Sequence, residues 1–324
     1  LVQSTLLDII AVNREDLMQG SNTALNILMM IHRNFDNVHD EQVLMSLALN
    51  DSVARMVYHA DYERAIEISY AILDRFPVSL HPYFVTRHLG VIGRCQALSG
   101  QYKLAEETLH KAIDIVARQL RSSDEAYRHH ADILHDLAMA NDMAKGAPDV
   151  SMRYLEQALQ ILNNTAQEVR KGVVLMGLGN IRYGTGKVQS ALEYYLLASL
   201  IFDEQSNFSN LASVDSNIGL CYTDLNIPEL AESYLVRSLD LRHKIGNSDE
   251  IAISYYNLGR LFDKKGDVNQ AILHYLSCRD YASRSINKYV YRLALESLEK
   301  LSQVKGDAMY AAVHSGDRHS VQTI

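Results

Sequence analysis

Thirteen histidines and three cysteines are the residues of this sequence best suited to hold a metal or attack a substrate. His129, His130 and His135, together with Asp132 and Asp136, fall in a segment that reads as one helix. Zinc on a single helix face wants two histidines three or four residues apart, whereas His135 stands five and six residues from the other two. The side chains diverge around the helix, so no metal site is expected. Cys95, Cys221 and Cys278 are far apart and odd in number, which fits neither a disulfide framework nor a zinc cluster and suggests a reducing, cytoplasmic compartment. Each is expected to act as a small buried hydrophobe rather than a nucleophile.

Other chemical signals fail on context. Glu106 and Glu107 belong to an outward helix face, whereas paired carboxylates that do acid-base work converge on a cleft from different elements. The chain carries no GxxxxGK[ST] loop, and GLGNIRYG sits inside a helical pattern instead of following a strand. No constellation supports catalysis or a cofactor, so the chain is read as no enzyme. A formal charge of -8 argues against a nucleic-acid partner, which needs clustered Lys and Arg. No apolar run reaches 18 residues, so no membrane span is expected. The chain opens on Leu rather than Met, and the expectation drawn from this is a piece of a larger or processed protein.

The elements that must position these residues are helices in a repeat. Ala191, Ala231, Ala271 and Ala311 stand 40 residues apart, each just after a turn-like stretch (GTGKVQSA, LNIPELA, KKGDVNQA, VKGDAMYA), and Ala65 and Ala105 repeat the interval. Ser151 takes the alanine's place between them, 46 residues after Ala105, which puts a longer loop near Arg121–Glu125. Ala24 begins the series in a degenerate first unit. Twelve residues before Ala105, Ala191, Ala231 and Ala271 lie Gly93, Gly179, Gly219 and Gly259. A small residue on the first helix lets the second approach closely. Gly100, Gly186 and Gly266 fall between the two small positions and suit helix ends at positive φ, with Asp61, Asp267 and Asp307 as caps of second helices. Ala191, Leu192, Tyr195, Ala198 and Ile201 trace one apolar face, as an amphipathic second helix should. With 48% hydrophobic residues and four prolines, the expected fold is all-α. Eight antiparallel helix pairs are expected, with units at about 1–38, 42–78, 82–120, 126–164, 170–207, 210–247, 250–288 and 290–324, and the family resemblance given below implies that they stack into a right-handed superhelical solenoid.

LMGLGNIRYGTGKVQSALEYYLLA, SNIGLCYTDLNIPELAESYLVRS and YNLGRLFDKKGDVNQAILHYLSC resemble the tetratricopeptide repeat, and Pro77 matches the proline that often closes such a unit. The period exceeds the usual 34 by roughly six residues, similar to kinesin light chain, polarity adaptors, Rap-type bacterial regulators and sensory arrays of bacterial cyclases. The resemblance implies a module that binds a peptide or protein segment on the concave wall formed by first helices. It also implies a peptide-backbone contact for asparagines in the Asn-x-Gly setting, here Asn217 and Asn257. By spacing, Met176, Asn180, Tyr183, Ser216, Thr223, Tyr256, Arg260 and Lys264 share that face, with Arg87 and Arg94 upstream. An amide both donates and accepts, and an arginine can grip a carboxylate with two bonds. The structural alternative is that the asparagines brace the next repeat, that the arginines are solvated, and that most of the 19 tyrosines are core.

The reading favoured is the sensory or regulatory part of a larger bacterial signalling protein, attached to a nucleotide cyclase or transcription output. One alternative is a structural adaptor that self-associates, as a homodimer through its terminal repeats. The other is a Rap-like regulator of a catalytic partner, weakened because the repeats start too early to leave the N-terminal bundle of that family.

Overall fold

The computed structural model describes residues 61–73, 82–119, 124–163, 165–284 and 288–306, and all regular structure among them is helical. In chain order the helices are α1 (Tyr62–Leu73), α2 (Pro82–Leu98), α3 (Tyr102–Gln119), α4 (Asp124–Met143), α5 (Pro148–Leu162), α6 (Glu168–Gly184), α7 (Val188–Glu204), α8 (Phe208–Asp224), α9 (Pro228–Ile245), α10 (Ser248–Lys265), α11 (Val268–Ala282) and α12 (Tyr289–Lys305). The chain divides into two compact units, Leu1–Ser151 and Met152–Ile324. The first expected pair with Ala24, the closing Pro77, and Asp307 and Ala311 of the last pair lie outside the described residues.

The 40-residue period resolves into two halves of 20. In the second unit α6, α7 and α8 each run 17 residues, about 25 Å at 1.5 Å per residue, and a three-residue turn follows each. The middle residue of successive turns takes positive φ: Gly186 at 76°, Ser206 at 53° and Asn226 at 60°. At Gly186 the chain closes as a Schellman turn, the Lys187 amide donating to the Arg182 carbonyl at 2.9 Å and the Gly186 amide to Tyr183 at 2.9 Å. Ser206 and Asn226 adopt the same bend without glycine, which explains why the sequence marks only some of the turns clearly. Asp267 caps α11 through its side chain, accepting from the Gln270 amide at 3.1 Å.

Within each pair the expected small positions meet their partners. A methyl group added to Gly179 would lie 2.5 Å from the Tyr195 ring, and one added to Gly259 2.5 Å from the Tyr275 ring. The alanines Ala191, Ala231 and Ala271 are fully buried beside these contacts. The large residue one turn beyond the alanine is therefore what fills the space that glycine leaves open. Pairs α2–α3, α6–α7, α8–α9 and α10–α11 share the most extensive contacts, and α6, α8, α10 and α12 run side by side as neighbouring first helices. Core residues such as Leu235, Leu258 and Leu261 join one pair to the next.

Two local departures have simple causes. Ser151, in the alanine position, buries its hydroxyl, which donates to the Ala138 carbonyl at 3.0 Å and accepts from Asn141 Nδ2 at 2.8 Å. The insertion near Arg121–Glu125, expected as loop, is helical from Asp124 onward, and α4 reaches 20 residues. Part of the extra length is thus wound into an additional turn of α4.

Candidate functional site

The first helices of successive pairs are laced together by polar side chains about 40 residues apart. In the second unit Asn217 Nδ2 donates to Asn180 Oδ1 at 3.3 Å, and the Tyr195 hydroxyl donates to the same oxygen at 2.8 Å. Asn257 Nδ2 donates to Ser216 Oγ at 2.9 Å. The Tyr183 hydroxyl donates to Asp224 Oδ2 at 2.6 Å. Lys264 Nζ donates to the carbonyls of Thr223 at 2.8 Å and Asp224 at 3.2 Å, placing a cation over the C-terminus of α8, where the helix dipole is negative. Arg260 and Lys264 lie 4.0 and 3.8 Å from Asp224 Oδ1. One carboxylate thus gathers a phenol and two cations from α6 and α10.

Burial sorts the sequence-derived candidates into two groups. Ser216, Thr223 and Asn257 are buried, Asn257 to 6% exposure, and their polar atoms are spent inside the protein. Thr223 Oγ1 donates back to the Gly219 carbonyl at 2.8 Å. These three support the face from beneath, so the bracing alternative describes Asn257. Met176, Tyr183, Asn217, Tyr256 and Arg260 are half-buried, and Asn180 and Lys264 are exposed. Tyr256 packs its ring 5.5 Å from that of Tyr275 and belongs partly to the core. Burial first and the Asp224 carboxylate second push the Tyr183 phenol up to about 12, so it remains a donor at neutral pH.

In the first unit Arg87 is exposed on α2, whereas Arg94 spends its fork on Asp136 of α4, with Nε to Oδ1 at 3.0 Å and Nη2 to Oδ2 at 2.9 Å. Asp136 is 5% exposed, and its charge raises the Arg94 pKa. A partner carboxylate would have to displace an internal one there. His129 Nε2 meets Thr86 Oγ1 at 2.8 Å, so the residues of the histidine-rich segment turn to different partners. Among the described residues no group of three or more His, Cys, Asp or Glu is arranged to hold a metal ion. The three cysteines are buried, and burial pushes the Cys95 thiol up to about 11 and the Cys221 and Cys278 thiols to about 12. None is a thiolate at neutral pH. Among the described residues no helix is long and apolar enough to cross a membrane.

The face also uses residues that the Asn-x-Gly spacing does not single out. Asp224, Tyr195 and Asp136 complete bonds whose other halves were visible in the sequence. For the aspartates the signal is an offset near 41, one repeat and one residue, as in Tyr183 with Asp224 and Arg94 with Asp136, and Ser216 with Asn257 shows it too; Tyr195 reaches Asn180 within its own helix pair and carries no such mark. Adjacent first helices are staggered by that extra residue.

Stacked antiparallel helix pairs with glycine on the first helix and alanine on the second define a helical-repeat protein. Residues 210–283, which cover nearly all of α8 to α11 and the start of the turn after them, match the tetratricopeptide repeat family, and the fold of the described pairs is that of tetratricopeptide repeats. "Tetratricopeptide repeat protein 29" of Trypanosoma brucei brucei is 24% identical over 143 residues, which make up 43% of this chain and only 29% of that protein's length. Among solved structures, the apo form of RapI aligns with a TM-score of 0.62 at 17% identity, covering 98% of this chain and 85% of RapI. A Signal Transduction ATPase with Numerous Domains carrying a tetratricopeptide repeat sensor, from Pyrococcus horikoshii, aligns with a TM-score of 0.60 at 14% identity, covering 92% of this chain and 46% of that one. At these identities the structural likeness speaks for the fold.

Proposed function

We propose that this chain is a non-enzymatic binding module whose first-helix face in the second unit holds an extended peptide or a segment of a partner protein. The observation that carries this reading is the amide pair at its centre. Asn180 Oδ1 already accepts two bonds, and no described residue bonds Asn180 Nδ2 or Asn217 Oδ1. One donor and one acceptor on adjacent first helices are what a peptide group needs. Arg260, a repeat further on, adds positive charge held only loosely by Asp224 at 4.0 Å, and Lys264 adds a second cation, bonded to the carbonyls that close α8. A carboxylate of the bound segment can compete for that charge, because an exposed ion pair at this distance contributes only about 0–1 kcal/mol.

The sensory setting in a larger signalling protein is the finer part of the proposal. It is supported by the fold shared with the repeat sensor of the Pyrococcus horikoshii protein and with RapI. Binding across several repeats would alter the angles between pairs, and small changes at each pair would accumulate along the stack. The test is a peptide array probed with the purified chain and with a variant carrying both Asn180→Ala and Asn217→Ala. The variant is expected to keep its far-UV circular dichroism and lose most array signals. Equal array patterns for the two proteins would overturn the assignment of this face.

A further inference from the structure

The second helices of the repeat present a pair of equivalent outward positions, six and nine residues after the small residue that packs against the first helix. In α3 these are Lys111 and Asp114, in α5 Gln157 and Gln160, in α9 Arg237 and Asp240, and in α11 Ser277 and Asp280. In α7 alone of these five helices they are Leu197 and Leu200, which are 52% and 62% exposed. One repeat thus carries large apolar side chains at two positions where the other four helices carry polar ones, of which Arg237 is bonded to the buried Asp215. Single exposed leucines are ordinary on a protein surface, but two that share one helix face and depart together from the molecule's own pattern form a patch.

The charges around the leucines indicate what covers them. Glu193, Leu197, Leu200 and Glu204 succeed one another at spacings of four, three and four, so they form one stripe along α7 with an acidic residue at each end, and Asp203 adds a third exposed carboxylate beside the last turn. A second copy of the chain is a poor fit. Two α7 helices related antiparallel would set Glu193 against Glu204, and in a parallel arrangement each would meet its own counterpart. Like charges would flank the apolar contact in both cases. An anionic lipid surface is disfavoured by the same carboxylates. We infer that the α7 stripe docks an amphipathic helical segment of a partner protein, one that offers two or three apolar anchors flanked by Lys or Arg. This surface lies on second helices, separate from the first-helix face that holds the peptide, so the protein would engage two partners at once.

A designed probe tests the chemistry directly: a fluorescein-labelled 18-residue helical peptide with leucines at i, i+3, i+4 and i+7 and lysines elsewhere, titrated by fluorescence anisotropy. Two controls are its scrambled isomer and an analogue with glutamate in place of lysine. The 324-residue chain is expected to bind the lysine peptide more tightly than either control, and the binding should weaken with added salt. Leu197→Gln with Leu200→Gln, which gives α7 the residues that α5 carries, should cost at least about tenfold in affinity, since it removes the apolar anchors' contact area. Glu193→Gln with Glu204→Gln should cost severalfold and remove most of the salt dependence. The Asn180→Ala, Asn217→Ala variant should bind this probe as the parent does, which separates failure here from failure of the first-helix reading. The inference is overturned if the leucine variant binds unchanged, if the glutamate peptide binds as well as the lysine peptide, or if sedimentation shows a dimer that the leucine substitutions dissolve.

Discussion

Between α2 and α4 of the first unit the links across the repeat are a buried imidazole on a hydroxyl, His129 to Thr86, and a two-pronged salt bridge, Arg94 to Asp136. Between α6, α8 and α10 of the second unit they are amides, a phenol and a lysine on helix carbonyls. The helix pair is the same in both, and so is the glycine contact inside it. What differs is how much polar capacity the lacing consumes. Arg94 and Asp136 satisfy one another, whereas Asn180 and Asn217 make one contact and keep a donor and an acceptor beside it. Repeat packing and surface recognition are therefore nearly independent in this chain: the glycines and alanines fix the pairs, and the residues beside them can either brace or bind.

The largest effect should come from attacking what the two units share. Gly259→Leu drives a branched side chain into the Tyr275 ring, which is 2% exposed and has no room to rotate. Overpacking typically costs about 1–3 kcal/mol and more where the neighbour is rigid, so chemical denaturation should show the second unit unfolding early. Gly93→Leu meets Leu109 at the same 2.5 Å, but an aliphatic side chain can change rotamer, and the loss should be smaller. Equal losses would show that the glycine contact is governed by backbone approach instead of by the residue opposite.

Acid should separate the units next. Burial, reinforced by nearby arginine charge, pushes His88 and His129 down to about 4, against an ordinary value of 6.5. The folded protein therefore binds fewer protons than the unfolded chain between those values. The stability these neutral imidazoles allow is complete above pH 6.5 and is lost as the pH falls toward 4, by roughly 1.4 kcal/mol per pH unit for each group. Hydrogen exchange at pH 7 and pH 5 should show α2 and α4 losing the most protection, α10 and α11 losing less through His274, whose pKa burial also lowers, and α8 changing little. His129→Gln, which keeps a polar group for Thr86, should remove about half of the response. Uniform acid sensitivity in both units would break the contrast.

The pairing of helices was legible because it is written in small residues at a fixed interval, and glycine and alanine at a contact leave few alternatives. The second set of turns was less visible, since Ser206 and Asn226 bend the chain as Gly186 does but carry no such mark in the sequence. The candidate site was legible as a face and not as a set of contacts. Asn217 and Asn257 occupy the same register position, yet one is half-buried and the other buried, and they reach back by different intervals, Asn257 to Ser216 41 residues earlier and Asn217 to Asn180 37 residues earlier. The role of Asp224 could not be read from its own repeat, since its partners come from the repeats on either side. Spacing within one unit says which residues share a helix face, but the stagger between units decides which of them touch.

That stagger makes the two asparagines a sensitive comparison. Asn257→Ala should cost about 1–2 kcal/mol, because it removes a buried bond and leaves Ser216 Oγ in a site with little water. Asn217→Ala should change thermal stability by less than about 0.5 kcal/mol, as expected for a surface-facing position, while weakening peptide capture. Differential scanning calorimetry on both variants decides between the two roles, and matching losses would mean that the amides are braces alike.

The smallest effect concerns the exposed end of the lacing. Lys264 Nζ sits over the last carbonyls of α8, and its ion pair with Asp224 is long at 3.8 Å. Cations at a helix C-terminus contribute about 0.3–1 kcal/mol, and the charge part fades with salt. Lys264→Met keeps most of the length of the side chain and removes its donors and charge. Its cost should therefore be a few tenths of a kcal/mol at low ionic strength and should shrink further in about 1 M salt, where the Debye length falls to about 3 Å. A loss that persists undiminished in salt would show that the two carbonyl bonds, and not the field of the helix, hold α10 against α8. In that case Lys264 would be a fixed brace of the kind that Arg94 forms in the first unit, and Arg260 alone would remain to meet a partner's carboxylate.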